Sequence, residues 1–161
     1  MTRVGKIGVE IEYPAIDETS MAGLPQEKFQ IIWEEFCQQG WEKVTDPVNG
    51  LPTGVFRQIK QQDDCLSSTQ ALSTDTGPLL EIATSPEENL FGLEKQLQEL
   101  RSMVSEKLIL QKGAILGLGI HPLTSDSKAE YYRLRTPRSA YDYAINERGW
   151  PHWKLLNVAA I

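Results

Sequence analysis

The alternation of apolar and polar residues predicts a strand near the start of the chain, followed by a helix. Between Lys6 and Tyr13, apolar residues alternate with glycine and glutamate, which is the two-residue period of a strand with one buried face. After Pro25, apolar residues recur at helical spacing as far as Cys37, and Gly40 is a typical helix stop. The first forty residues are therefore predicted to form a strand and an amphipathic helix.

The rest of the chain predicts short strands around one long helix. A polar loop is expected from Gln61 to Ser68. The long helix is expected to begin at Ser85, because a capping serine is followed there by a proline and a glutamate, and to end at Gly113. A last helix is predicted over residues 139–148. The predicted strands cover residues 41–45, 55–59, 71–75, 79–84, 114–120 and 131–135.

Composition narrows the class of protein. The chain has 161 residues, of which 40% are hydrophobic and 24% charged, which is typical of one globular domain. Its net charge of −6 argues against nucleic-acid binding, because no basic stripe is present to neutralise phosphates. No apolar run reaches membrane-spanning length and no secretory signal begins the chain, so a cytoplasmic location is expected. The two cysteines form no pair of ligand spacing, and Cys37 is expected to be a buried reduced thiol.

The last residues of the chain are apolar. Residues 157–161 carry no polar tail and no turn. Natural domains tend to end in exposed, loosely held residues. Residues 1–161 are therefore expected to be a single domain that forms the front portion of a longer product.

Two glutamates on the first strand are the first candidates for chemistry. Glu10 and Glu12 project from the same strand face, about 7 Å apart by strand geometry, and Gly8 leaves room beside them. Like charges this close are costly unless a cation or a shared proton compensates them. A bound cation is one interpretation, and a solvated sheet face is the other.

Three later residues have a similar setting. Glu81 shares its predicted strand face with apolar neighbours, and His121 shares one with Gly117 and Gly119. Asp75 stands where a strand meets a turn, so the alternative is that it is a simple turn residue. For His121, the alternative is a hydrogen-bonded histidine at the end of a strand. Carboxylates with one imidazole suit magnesium or manganese, whereas zinc is disfavoured because no cysteine lies near a histidine at ligand spacing.

Three segments together resemble the glutamate–cysteine ligase type of carboxylate–amine ligase. They are Gly8-Val-Glu-Ile-Glu12, Leu80-Glu-Ile-Ala-Thr-Ser-Pro86 and Gly119-Ile-His-Pro122, in this order. Residues 152–161 also resemble the central strand of that family. The resemblance implies a glutamine-synthetase-like catalytic fold of the α+β class. In it, a curved, mostly antiparallel sheet would form part of a barrel, with helices on its outer face and acidic groups on the concave side.

The resemblance also implies a reaction. Such enzymes activate a glutamate carboxylate with ATP to an acyl phosphate, which an amine such as cysteine then attacks. Carried over by motif, Glu10, Glu12 and Glu81 would ligate Mg²⁺ or Mn²⁺, and His121 would ligate the metal nearest the γ-phosphate. Asp75 is a weaker carry-over. ATP would be the cosubstrate, and the product a γ-glutamyl amide, as in glutathione biosynthesis.

Substrate contacts are expected from arginines and one tyrosine. A glutamate substrate needs cationic partners for its carboxylates, and the guanidinium fork suits them. Arg57, Arg133 and Arg135 are the candidates, although the last two would otherwise decorate an exposed strand. Tyr131 would line the amine pocket or pack.

Other functions remain open at this level. A non-catalytic module that holds metal or an amino acid is one, an inactive fragment of such a ligase is another, and a hydrolase using Glu10 or Glu81 as a general acid is a third. The rear half of the ligase family, with its nucleotide pocket, is absent from these residues. A truncated barrel would leave unpaired sheet edges, so a homo-oligomer is expected.

Overall fold

The computed structural model describes residues 5–59, 68–75, 77–119 and 121–123, which form a six-stranded sheet and two helices. Every strand pair is antiparallel, and the strand order is β2-β3-β4-β5-β1-β6. The α+β class and the antiparallel sheet are thus confirmed, and the described sheet does not close on itself. The elements are β1 (Glu10–Asp17), α1 (Gln26–Gln38), β2 (Glu42–Thr45), β3 (Pro52–Ile59), β4 (Ser68–Thr74), β5 (Leu79–Ala83), α2 (Leu90–Leu110) and β6 (Gly113–Ile115).

Helix α1 forms where the spacing of apolar residues predicted it. Phe29, Ile32, Trp33 and Phe36 recur on one stripe and are buried. The helix ends before Gly40, whose φ of 89° suits glycine. Its apolar stripe packs on β2 and β3.

The core lies on one face of the sheet. Both helices contribute to a single apolar cluster with alternate residues of the strands, including Val55, Leu72, Leu80 and Ile82. Because residues paired across an antiparallel sheet point to the same side, this cluster identifies the side that the helices cover. We call it the helix face.

Helix α2 begins later than predicted. It starts at Leu90, and Asn89 is the cap, since its side chain accepts a hydrogen bond from the Gly92 backbone N–H at 2.9 Å. Ser85 does not cap it, because both its backbone N–H and its hydroxyl donate to Gln96 instead. The prediction of a helix start at Ser85 was therefore wrong by about one turn.

Other predicted elements differ in length or lie outside the described residues. Strand β6 ends at Ile115, so the prediction of a strand to residue 120 was wrong. Strand β4 begins at Ser68, which was assigned to the preceding loop. The strand and helix predicted over 131–135 and 139–148 fall outside the described residues. Within the part of the chain that is described, no helix is long and apolar enough to cross a membrane.

Candidate functional site

The pairing of β1 with β5 places glutamates from two strands side by side. Glu12 lies directly opposite Glu81, and Glu10 lies opposite Ala83. Directly opposed residues point to the same side, with Cβ atoms about 5 Å apart. Their sequence neighbours Tyr13, Leu80 and Ile82 belong to or pack against the core, so all three glutamates project away from the helices. We call this side, defined by Glu10, Glu12 and Glu81, the carboxylate face.

Asp75 extends the carboxylate face at the end of β4. Ser73 is opposite Glu81, and the Asp75 backbone N–H donates to the Leu79 carbonyl at 3.0 Å, so the ladder continues in register to Asp75. By the two-residue period, Asp75 is on the same side of the sheet as Ser73. It is diagonal to Glu81, and diagonal neighbours on adjacent strands lie about 7 to 8 Å apart. Asp75 also directly precedes the turn into β5, which agrees with its alternative interpretation as a simple turn residue.

The four carboxylates differ in exposure. Glu10 is exposed, whereas Glu12, Glu81 and Asp75 are half-buried. Like charges directly opposite each other destabilise a sheet, so this arrangement costs free energy unless something offsets it. Among the described residues, however, no group of three or more histidine, cysteine, aspartate or glutamate side chains is close enough to hold a metal ion. The carboxylates share a face but do not converge on one point.

His121 is buried, with 4% of its surface exposed, and follows β6 without belonging to a strand. Its Nδ1 accepts a hydrogen bond from the Leu123 backbone N–H at 3.3 Å. The prediction that His121 shares a strand face with Gly117 and Gly119 was wrong, because β6 has already ended at Ile115. A Cβ added at either glycine would meet no described atom within 4 Å, so these glycines do not serve a close approach of the described backbone.

Arg57 lies on the helix face, on the other side of the sheet from the carboxylates. It pairs with Gln70, and its guanidinium carbon is 4.6 Å from the centroid of the Trp41 ring. Its Nε–H donates to Gln70 Oε1 at 2.9 Å. The structure therefore separates Arg57 from the acidic residues with which it was expected to act. The other predicted substrate contacts, Tyr131, Arg133 and Arg135, lie outside the described residues.

A buried polar network on the helix face was not predicted. Gln70 and Gln96 are almost fully buried, and Gln70 Nε2 donates to Gln96 Oε1 at 2.6 Å. The same oxygen accepts from the Ser85 hydroxyl at 2.8 Å, and Gln96 Nε2 donates to Glu87 at 2.5 Å. This network fastens α2 and the segment after β5 to β4. Its sequence signal is a glutamine on the apolar stripe of α2, between Leu93 and Leu100.

A second polar cluster joins the ends of three elements. Lys28 Nζ donates to Asp17 Oδ2 at 2.5 Å and to the Gln111 carbonyl, at the end of α2, at 2.6 Å. Asp17 Oδ1 accepts the backbone N–H groups of Thr19 and Ser20. The Lys28 hydrogen bond, and then the Ser20 N–H, hold the pKa of the Asp17 carboxyl well below its usual range. This cluster is fully explained by its role in joining β1, α1 and α2.

No protein-family model matches this sequence, and no curated protein matches it. The functional interpretation therefore depends on the geometry of the carboxylate face and on the motifs of the sequence.

Proposed function

We propose that the carboxylate face binds Mg²⁺ or Mn²⁺ and serves an ATP-dependent carboxylate–amine ligation that forms a γ-glutamyl amide. The observation that carries the proposal is the register of β1 and β5, which opposes Glu12 to Glu81. Like charges directly opposite each other destabilise a sheet unless another group offsets them. A function that needs concentrated negative charge explains why they are there.

The donor atoms of the carboxylate face are of the type that these metals prefer. Hard divalent cations prefer carboxylate oxygens, and Glu10, Glu12, Glu81 and Asp75 supply them from three adjacent strands. His121 would add the single nitrogen donor that manganese accepts. When bound, the metal would neutralise charge on the phosphoryl group that is transferred.

The protein's own residues would provide rigidity and position. Strand carboxylates are held in position by the ladder: Glu81 is paired on both sides, with Glu12 and Ser73, and Glu10 and Glu12 are paired with β5. In the proposed reaction, a carboxylate oxygen of glutamate takes the γ-phosphoryl group of ATP and ADP leaves. The amine nitrogen then bonds to the acyl carbon and inorganic phosphate leaves. Arg133 and Arg135 remain the predicted cationic contacts of the substrate, and Tyr131 the predicted wall of the amine pocket.

Metal binding is tested first, by calorimetric titration of the protein with Mn²⁺ and Mg²⁺. Glu12→Gln and Glu81→Gln should each weaken Mn²⁺ binding by about tenfold or more, because each removes a charged ligand. Glu94→Gln, an exposed glutamate on α2, is the matched control and should leave it unchanged. Equal Mn²⁺ affinity in the wild type and all three variants would show that the metal does not bind at the carboxylate face.

Ligation is tested separately. The protein is incubated with ATP, Mg²⁺, glutamate and a panel of amines that includes cysteine, and phosphate release is measured. Release that depends on both glutamate and one amine supports the ligase. No release above background with any amine would reject it.

A second candidate is a binding module that holds metal or an amino acid without turnover. It is favoured by the position of Arg57 on the far side of the sheet, away from the carboxylates with which a ligase substrate would need it to act. Metal binding that is lost in Glu12→Gln, without phosphate release, would select this candidate.

A further inference from the structure

A groove lies between β3 and α2 on the helix face. Its volume is about 620 Å³, which is within the range of small-molecule sites. It is open to solvent and combines one cation, two carboxylates and one apolar side chain. The lining residues are Arg57, Gln98, Glu99, Ser102, Met103 and Glu106.

The guanidinium of Arg57 is held in place before any ligand arrives. Trp41 supports its plane at 4.6 Å, and Gln70 accepts from its Nε–H at 2.9 Å. Gln70 is itself fixed by Gln96 at 2.6 Å. Of the five N–H donors of an arginine, the bond to Gln70 uses one. A carboxylate that binds this pre-oriented fork would lose little side-chain entropy.

The contact between Arg57 and the Trp41 ring does not by itself explain why the guanidinium is also hydrogen-bonded to Gln70. To pack over the Trp41 ring, Arg57 needs only its aliphatic stem and the flat guanidinium group. The amides of Gln70 and Gln96 behind it are almost fully buried, and burying amides costs free energy unless each is hydrogen-bonded. The network fastens α2 to β4, and through Gln70 it also orients the guanidinium that lines the groove.

The other charged residues restrict the ligand. Glu99 and Glu106 line the same groove as Arg57, so the lining carries two negative charges and one positive charge. Lys95, outside the lining, is 3.9 Å from Glu99, but a pair this exposed is weak and leaves Glu99 available to a ligand. A phosphate or a dicarboxylate would be repelled by the two glutamates. A ligand with one carboxylate and one ammonium group satisfies both signs, and Met103 adds an apolar contact.

We propose that this groove binds a small zwitterion, either a free amino acid or a dipeptide. Its carboxylate would contact Arg57, and its ammonium group would contact Glu99 or Glu106. This site is independent of the carboxylate face, since the two lie on opposite sides of the sheet.

The test is a calorimetric titration with the twenty amino acids and a set of dipeptides in buffer containing EDTA. For the best ligand, the N-acetylated form and the form that lacks the carboxylate should each bind about tenfold more weakly, because each loses one charged contact. Arg57→Gln and the double variant Glu99→Gln/Glu106→Gln should lose affinity to a similar extent. Arg101→Gln, exposed on α2 but outside the groove, and Glu27→Gln, exposed on α1, are the controls.

Several results would overturn the proposal. One is no binding of any zwitterion at millimolar concentration, and another is unchanged binding by Arg57→Gln. The double glutamate variant changes exposed residues only, so it keeps the test valid if Arg57→Gln unfolds. Glu12→Gln should bind the zwitterion like the wild type, and a loss there would move the ligand to the carboxylate face. Failure of the ligase reaction would leave these results unaffected.

Discussion

Polar side chains have opposite surroundings on the two faces of the sheet. On the helix face, Gln70 and Gln96 are buried and bonded to each other and to Ser85. On the carboxylate face, Glu12 stands opposite a residue of its own charge, Glu81. The first arrangement lowers the free energy of the fold, whereas the second costs free energy unless another group offsets it. Polar residues that satisfy one another stabilise structure, whereas like charges on opposed positions are candidates for a role beyond the fold.

The largest expected effect tests whether the helix face is the source of stability. Leu80 is fully buried there, next in sequence to Glu81. Leu80→Ala should lower the free energy of unfolding by about 3 kcal/mol through lost burial and a residual cavity. Urea unfolding followed by tryptophan fluorescence measures it. Glu10→Ala, on the carboxylate face, is the control and should change stability by less than about 0.5 kcal/mol. Similar losses in both variants would remove the contrast between the faces.

The next effect concerns the buried network. Gln96→Leu keeps the size of the side chain but deprives the Ser85 hydroxyl and the Gln70 amide of their acceptor. The expected loss is about 2 kcal/mol, the cost of leaving buried polar groups without a partner. Gln98→Leu, exposed on the same helix, should be nearly neutral. A neutral Gln96→Leu in the same urea experiment would show that the network does not stabilise the fold.

The cluster around Asp17 should give a pH-dependent effect. Its pKa is lowered in the folded protein, so its stabilising effect is complete above the ordinary aspartate pKa of about 4 and is lost as pH falls below it. Asp17→Asn should therefore cost about 1 kcal/mol near pH 7 and much less near pH 2. Thermal unfolding across this pH range measures the difference. A cost that does not vary with pH would mean that the charge of Asp17 is not what stabilises the cluster.

The smallest effect has the opposite sign. Glu81→Gln removes one of two directly opposed charges, so it should raise stability by about 0.5 kcal/mol in EDTA. Added Mn²⁺ should stabilise the wild type more than the variant, because only the wild type keeps both carboxylates. Thermal unfolding with and without Mn²⁺ gives both values. Destabilisation by Glu81→Gln in EDTA would mean that the two faces do not differ as proposed.

The sequence predicted individual helices and strands better than it predicted which strands lie next to each other. Helix α1 was recoverable because Pro25, a regular apolar stripe and Gly40 all agree with one another. The two-residue period correctly placed Glu10 with Glu12. It could not show that Glu81 would be directly opposite Glu12, because strand order and register are set by contacts between distant segments.

Failures of prediction have equally specific causes. Ser85 has the local signature of a cap, but Gln96 recruits it through a tertiary contact that local sequence does not contain. The alternation of β3 grouped Arg57 with Val55, but it could not say which side the helices would cover. Tertiary contacts therefore decided both positions.

The register of β1 against β5 has a consequence for folding errors. Because side chains alternate, a slip by a single position would turn Glu10 and Glu12 inward, beneath the helices, and expose Ile11 and Tyr13 to solvent. Charges without compensation in that apolar layer would cost several kcal/mol. These glutamates thus make the nearest misaligned pairing far less stable than the correct one, and so they favour the correct strand alignment.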